Sequence, residues 1–386
     1  MPPLLPEDQE ARHRAFKEFV SLNVEPFAEA WDREEQIPPL VISLLGEAGH
    51  LGVTVPRDYG GQGWNTVTFG LLNEAVGRGS SALTDVITCQ AMVSMALLKW
   101  GTPDQKARWL PSLAKGETIG AFALTEPGAG SDTQALVTEY APTSNGGELS
   151  LNGHKKWISC AQFADIFLVF GVLGQRSVAC LVGRGSPGFS IEPIRGLLGF
   201  RAAGLAELHF ENVRLPATNI VGKPGFGLSH VATVGLHYGR ISTACSGAGL
   251  VRGCLEESVS YAATRAIGAQ TVGDLGMIRS LITRMGADSE AARLLCVSAC
   301  QAEDDGRPEA FEKALTAKYF TSRAAVRAAS DAVQIRGASG CHSSSPVSRF
   351  YRDAKILEII EGTTQIHEQL LGKILVDRAL LCRRER

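Results

Sequence analysis

The apolar side chains of this chain keep a three- and four-residue rhythm as far as residue 118, lose it between residues 119 and 225, and resume it from residue 226 onward. A change of hydrophobic period is a change of secondary structure, because one helix face repeats every 3.6 residues and one strand face every two. In the first block Phe16, Val20, Val24, Phe27 and Trp31 form one stripe, and further helical patterns occupy residues 38–50, 67–77 and 84–99. Pro56 with Gly60, Gly61 and Gly63 interrupts them with a loop over residues 55–63. In the middle block Leu149 and Leu151 alternate with polar neighbours before Asn152-Gly153, a turn signal. The runs 166–172 and 178–182, and the alternation of Leu208, Phe210 and Val213, read as strands. The third block carries three stripes at helical spacing: Val251, Leu255 and Val259; Ile278, Ile282 and Met285; Leu315, Tyr319 and Val326. Long helices bury such stripes best when packed antiparallel, and the faces left over favour self-association. The expected fold is α+β, mostly α: an N-terminal helical domain (1–118), a middle β-domain (119–225) and a C-terminal four-helix bundle (226–386).

A chain of 386 residues exceeds what one hydrophobic core organises, in keeping with three units. The net charge of -2, with 20% charged residues, supplies no basic field for nucleic acid. The first eight residues lack the basic and apolar segments of a leader, and no window reads as long and apolar enough to span a bilayer, so a cytoplasmic protein is expected. The nine cysteines are odd in number and scattered, and read as buried thiols. Cys296 and Cys300 lie one helical turn apart without further ligands at suitable spacing, so no metal is assigned.

Two segments carry chemistry. Residues 121–132, Ala-Phe-Ala-Leu-Thr-Glu-Pro-Gly-Ala-Gly-Ser-Asp, end an apolar strand in a turn of small residues, whose backbone and hydroxyls can approach a flat polar ligand. Ile359-Ile360-Glu361-Gly362-Thr363-Thr364 sets one carboxylate among apolar neighbours, where loss of hydration makes it a stronger base.

Together these segments resemble the two signatures of the acyl-CoA dehydrogenase family, and the resemblance runs over nearly the whole chain, including the order of domains. It implies a flavoprotein that oxidises an acyl thioester with FAD. Phe122, Leu124, Thr125 and Ser131 would surround the isoalloxazine and pyrophosphate. In Asn152-Gly153-His154-Lys155-Lys156-Trp157-Ile158-Ser159, Trp157 would pack on the flavin and Ser159 bond to its ring. Gln334, Gly337 and Gly340 of Gln334-Ile335-Arg336-Gly337-Ala338-Ser339-Gly340 match a loop that binds the pyrophosphate of an FAD held by a neighbouring subunit, implying a homodimer or homotetramer. Arg265 matches an arginine that covers FAD across the interface, although the aromatic residue usual in that segment is absent from Arg265-Ala266-Ile267-Gly268-Ala269. Thr363 and Gln365 match residues that contact FAD.

Glu361 takes the place of the family's catalytic base, and Arg240 that of an arginine positioning the pantetheine arm, its bland alternative being a structural ion pair. Some members carry the base immediately before that arginine; here that position is Gly239, which cannot take a proton. The rival carboxylate Glu358 reads as a solvated or paired charge. The implied reaction removes the α-proton to Glu361 and a hydride from the β-carbon to flavin N5. The thioester carbonyl would be polarised by the N–H of the glutamate and a ribityl hydroxyl of FAD. The carrier is CoA or an acyl carrier protein; the Gly-Leu-Ala-Glu-Leu run at 204–208 and Pro224-Gly225-Phe226-Gly227 look more like branches that serve polyketide or other secondary pathways. An electron-transfer flavoprotein would accept the electrons. A catalytically silent scaffold is the alternative of another class.

Overall fold

The computed structural model describes residues 5–144 and 146–384. Six helices come first: α1 (Glu7–Asn23), α2 (Ala28–Glu34), α3 (Pro39–Glu47), α4 (Thr66–Gly79), α5 (Ser81–Trp100) and α6 (Pro103–Lys115). Their starts follow local capping chemistry: the side chains of Asn65 and Ser80 accept from the N–H groups of Thr68 and Leu83, and Thr102 with Gln105 closes a capping box. The stripe expected over residues 16–31 is broken. α1 ends at Asn23 with Val24 as its cap, Pro26 lies in the break, Trp31 belongs to α2, and Phe27 is half exposed.

α5 corrects a second expectation. By length and composition it could cross a membrane, but 89% of the stretch is buried, so its apolar surface is covered by this protein's own helices and sheet.

Seven strands follow: β1 (Gly120–Ala123), β2 (Glu139–Pro142), β3 (Glu148–Ile158), β4 (Ile166–Leu173), β5 (Arg176–Gly183), β6 (Phe189–Pro193) and β7 (Ala206–Pro216). They form one mixed sheet ordered β1-β4-β2-β3-β7-β6, with β5 paired to β4. Asn152-Gly153 is not a turn. It sits inside β3, where the register against β7 shifts between Leu151 and Gly153, and a side chain at 153 would strike Thr138 at 2.6 Å. Asn152 accepts from the N–H of Asn212, so the pair's turn-forming tendency is used to bulge a long strand.

A π-helical turn, Gly227–Ala232, leads into α7 (Thr233–Thr264), α8 (Gly276–Asp304), α9 (Ala310–Arg336), α10 (Pro346–Leu357) and α11 (Thr364–Arg384). Between α7 and α8 a two-stranded ribbon, β8 (Ala266–Ile267) and β9 (Gln270–Thr271), turns at Gly268. The architecture is therefore helical, then β, then helical. α4, α5 and α7 lie at its centre, with α7 buried over most of its first six turns. Val259 leaves its stripe and is exposed. Seven cysteines are buried free thiols and Cys341 is exposed; the side chain of Cys382 lies outside the described residues.

Candidate active site

Glu361 stands on the short link between α10 and α11, in the left-handed region at φ 53°. A non-glycine residue held there is strained, and such strain collects where a side chain must be aimed. Its carboxylate lies against α7 at Gly239: a methyl group at that position would come within 2.5 Å of the Glu361 Cδ. Gly239 thus contributes space. Oε2 is buried without a hydrogen-bond partner. Burial pushes the carboxyl up to about 7; Arg240 opposes this, Asp85 adds to it and Lys318 opposes it.

Two cations face that carboxylate. Arg240, on α7, is buried, its guanidinium 5.5 Å from the centre of the Phe311 ring, and its Nε has no partner. No ion pair of Arg240 closes among the described residues, so the structural ion pair is not what is seen. Lys318, on α9, was not singled out by sequence. It is fully buried, its Nζ donates to the Gly362 carbonyl at 2.7 Å, and burial pulls the amine down to about 7. The link is closed further by Thr364 N–H donating to Glu358 and by His367 Nδ1 against the Thr363 carbonyl at 3.0 Å. Glu358 itself pairs with Lys355 at 2.7 Å, a bland role.

Opposite this link stands the bulged end of β3. Trp157 has φ 62° beside a register shift, and the residue is 49% exposed. A large ring held open to solvent by a left-handed backbone makes one wall of a slot. Lys156 N–H donates to the Thr125 carbonyl at 3.0 Å, tying that wall to the 121–132 segment. Beneath lies a buried pair: Lys155 Nζ reaches the Leu124 carbonyl at 3.0 Å and the Glu126 carboxylate at 2.7 Å, while Glu126 accepts from Val137 and Thr138 N–H. This pair sets the course of the loop, and sequence did not flag it.

Thr125 and Ser131 lie on that loop with their surroundings open, and nothing lies within 4 Å of where a side chain on Gly128 or Gly130 would be. Ser159 lies two residues past Trp157, and Thr363 and Gln365 stand at the start of α11. The side chains of Phe122 and Leu124 are buried in the core, Phe122 packing at 4.6 Å on Phe170 and over Gly235, which leaves the backbone groups of the strand for a ligand. The open wall, glycine shelf and hydroxyls fit a flat cofactor with a phosphate tail.

Arg265, Gln334 and Gly337 are exposed and far from this slot, and Gly340 is buried beside them. Arg265 ends α7 about 39 Å from Gly239, and Gln334 stands about 24 Å along α9 from Lys318. Tyr261 OH donates to the Arg336 carbonyl at 3.5 Å, bringing these segments together at the far end of the bundle. Next to Trp157, whose ring centre lies 5.0 Å from the Lys156 Nζ, His154, Glu207 and His209 cluster on the sheet, with the same Nζ on the second oxygen of Glu207 at 2.7 Å.

Profiles of the acyl-CoA dehydrogenase N-terminal, middle and C-terminal domains match residues 6–117, 121–213 and 226–376. The chain belongs to the acyl-CoA dehydrogenase family. It is thereby a flavoprotein oxidoreductase of a family that binds FAD. It is 34% identical to an acryloyl-CoA reductase (NADH) of Anaerotignum propionicum over 97% of this chain and 96% of that protein. It is 33% identical to a glutaryl-CoA dehydrogenase of Desulfococcus multivorans over 95% and 96%. Among solved structures, a Mycobacterium smegmatis glutaryl-CoA dehydrogenase in complex with FADH2 superposes with TM-score 0.91 at 27% identity, covering 96% of this chain and 95% of that one. The prolyl acyl carrier protein oxidase AnaB superposes with TM-score 0.90 at 25% identity, covering 96% and 99%.

Proposed function

We propose that this acyl-CoA dehydrogenase removes two hydrogens across the α,β bond of an acyl thioester, with Glu361 as the base that takes the α-proton. The observation that carries the reading is the Glu361 carboxylate itself: aimed by a left-handed backbone, seated on the glycine of α7, with one oxygen unpartnered. A carboxyl held near 7 removes a proton from carbon far better than one near 4 and is still ionised in good part at neutral pH. When bound, FAD supplies the acceptor for the hydride that leaves the β-carbon. Arg240 and Lys318 keep enough positive potential around Glu361 for it to ionise, and Lys318 holds the Gly362 carbonyl so that the link cannot rotate. Thr125, Ser131, Trp157, Ser159, Thr363 and Gln365 would hold the cofactor within one subunit. Arg265, Gln334, Gly337 and Gly340, too distant to serve their own slot, would serve that of a second copy, so the working unit is a homodimer or homotetramer.

A second reading, oxidation of a specialised acyl group on an acyl carrier protein, is favoured by the likeness to the carrier-protein oxidase. An electron-transfer flavoprotein is the proposed electron acceptor. The test is flavin bleaching by a panel of acyl thioesters after reconstitution with FAD, for the native chain and Glu361→Gln. Loss of bleaching with FAD binding retained supports the base; undiminished bleaching refutes it. The silent scaffold requires that no thioester bleaches the native holoprotein.

A further inference from the structure

The Gly-Leu-Ala-Glu-Leu run at 204–208 puts on the sheet a carboxylate that the reaction does not use. Glu207 and His209 stand two residues apart on β7 and so share one of its faces. His154 of β3 is directly opposite His209, and Glu192 of β6 directly opposite Glu207, which sets all four on that face across three neighbouring strands. His154 Nε2 meets Glu207 Oε2 at 2.6 Å, and the rings of His154 and His209 stack with centres 4.2 Å apart. One ligand atom from each of His154, Glu207 and His209 falls within 4.8 Å of the other two. Lys156 holds the other oxygen of Glu207 at 2.7 Å, which fixes the carboxylate with Oε2 turned to the histidines. All three residues are half-buried, so solvent reaches them while the sheet holds them.

A chain of ion pairs from Lys156 through Glu207 to His154 accounts for three of these residues and leaves His209 without a role. Its Nε2 comes only to 3.7 Å from Glu192 Oε2, and no hydrogen bond closes on its ring among the described residues. Two imidazoles laid face to face also repel once both carry a proton. A cation bound between them removes that conflict and uses every donor. We propose that His154, Glu207 and His209 bind a divalent transition metal, zinc being the expected ion, with Glu192 or a water completing the coordination. Two imidazoles and one carboxylate are a donor set that zinc takes, whereas calcium and magnesium call for more oxygens. Neighbouring donors around tetrahedral zinc lie about 3.4 Å apart when the bonds are about 2.1 Å. That spacing falls between the 2.6 Å and 4.8 Å seen here, so rotation of side chains closes the site without moving the sheet. On binding, the His154 proton moves from Nε2 to Nδ1, and Nε2 offers its lone pair to the metal. The ion then clasps β3 to β7 beside the bulge that sets Trp157, next to the edge strand β6. The proposal is independent of the assignment of Glu361.

The experiment is equilibrium dialysis of the untagged full-length chain, reconstituted with FAD, against micromolar ZnCl2, with bound metal counted by atomic emission. The native chain should hold one zinc more per subunit than His154→Ala or His209→Ala, and each of these, like Glu207→Gln, should weaken that ion by at least about tenfold. CoCl2 in place of zinc should give the visible d–d absorption of four-coordinate Co2+ in the native chain and not in the variants, and MgCl2 should not compete. Zinc should raise the melting temperature of the native protein and leave that of His209→Ala unchanged. Retained flavin absorbance reports that a variant is folded; should an alanine variant fail that check, His154→Gln and His209→Gln replace it. The proposal is overturned if the native chain takes up no zinc, or if magnesium displaces the ion. Zinc held equally by every variant, as it would be by the exposed Cys341 with His342, overturns it too.

Discussion

Gly239→Ala separates the seat of the base from the stability of the helix. The added methyl would lie 2.5 Å from the Glu361 Cδ, where carbon atoms rest at about 3.5–4.0 Å. The backbone of α7 is fixed by packing on both sides, so the carboxylate moves, by about 1 Å or more. A misplacement of that size costs on the order of 100-fold in rate, or about 3 kcal/mol of transition-state stabilisation. The helix itself gains, since alanine in a helix interior is better than glycine by about 0.5–1 kcal/mol. Stopped-flow flavin reduction under anaerobic conditions reads the first effect, and thermal unfolding of the same samples reads the second. The expected outcome is slow reduction by a protein at least as stable as the native one. Undiminished reduction would show that the carboxylate does not occupy the space over Gly239, and the reasoning would fail.

Flavin reduction should rise with pH through an apparent pKa of about 7, because Glu361 must be ionised to accept the proton; a limb near 4 would place the base elsewhere. Lys318→Met removes a facing cation and the bond to Gly362, so that limb should move to higher pH, and a stopped-flow pH series in which it stays put refutes the coupling. Linkage gives a stability test. The folded state binds the Glu361 proton more tightly than the unfolded chain between about 4.5 and 7, so this group lowers stability as pH rises through that window. Glu361→Gln should therefore melt higher than the native protein at pH 8, with the difference vanishing below pH 5. Lys155→Met leaves Glu126 buried without its cation and should cost about 3–5 kcal/mol in urea unfolding.

Much of this architecture was legible in sequence because period is a local signal: the change near residue 119 and the return at 226 both correspond to real changes of element. The burial of Glu361 was expected from its apolar neighbours in the chain, but Ile359 is exposed and it is α7 at Gly239 that lies against the carboxylate. Gly239 could be read only as the absence of a rival base; its function as the floor under Glu361 depends on a contact between α7 and a link more than a hundred residues later. Lys318, Lys155, Glu126 and Asp85 were missed because a charged residue in a helix or strand looks solvated until its burial is known. Asn152-Gly153 misled because its local preference was overridden by pairing with a distant strand. The burial of the Phe122 and Leu124 side chains could not be read locally, because which way a strand side chain points is decided by the sheet and helices it packs against.

The shared volume at Gly239 and Glu361 has an evolutionary corollary. One compartment admits one acid, so a lineage that relocated the base onto the helix would have to cross a sequence holding either two acids in collision or none at all. The first fails by collision and the second for want of a base, so a move of the base between the two positions has to take both substitutions together rather than one at a time.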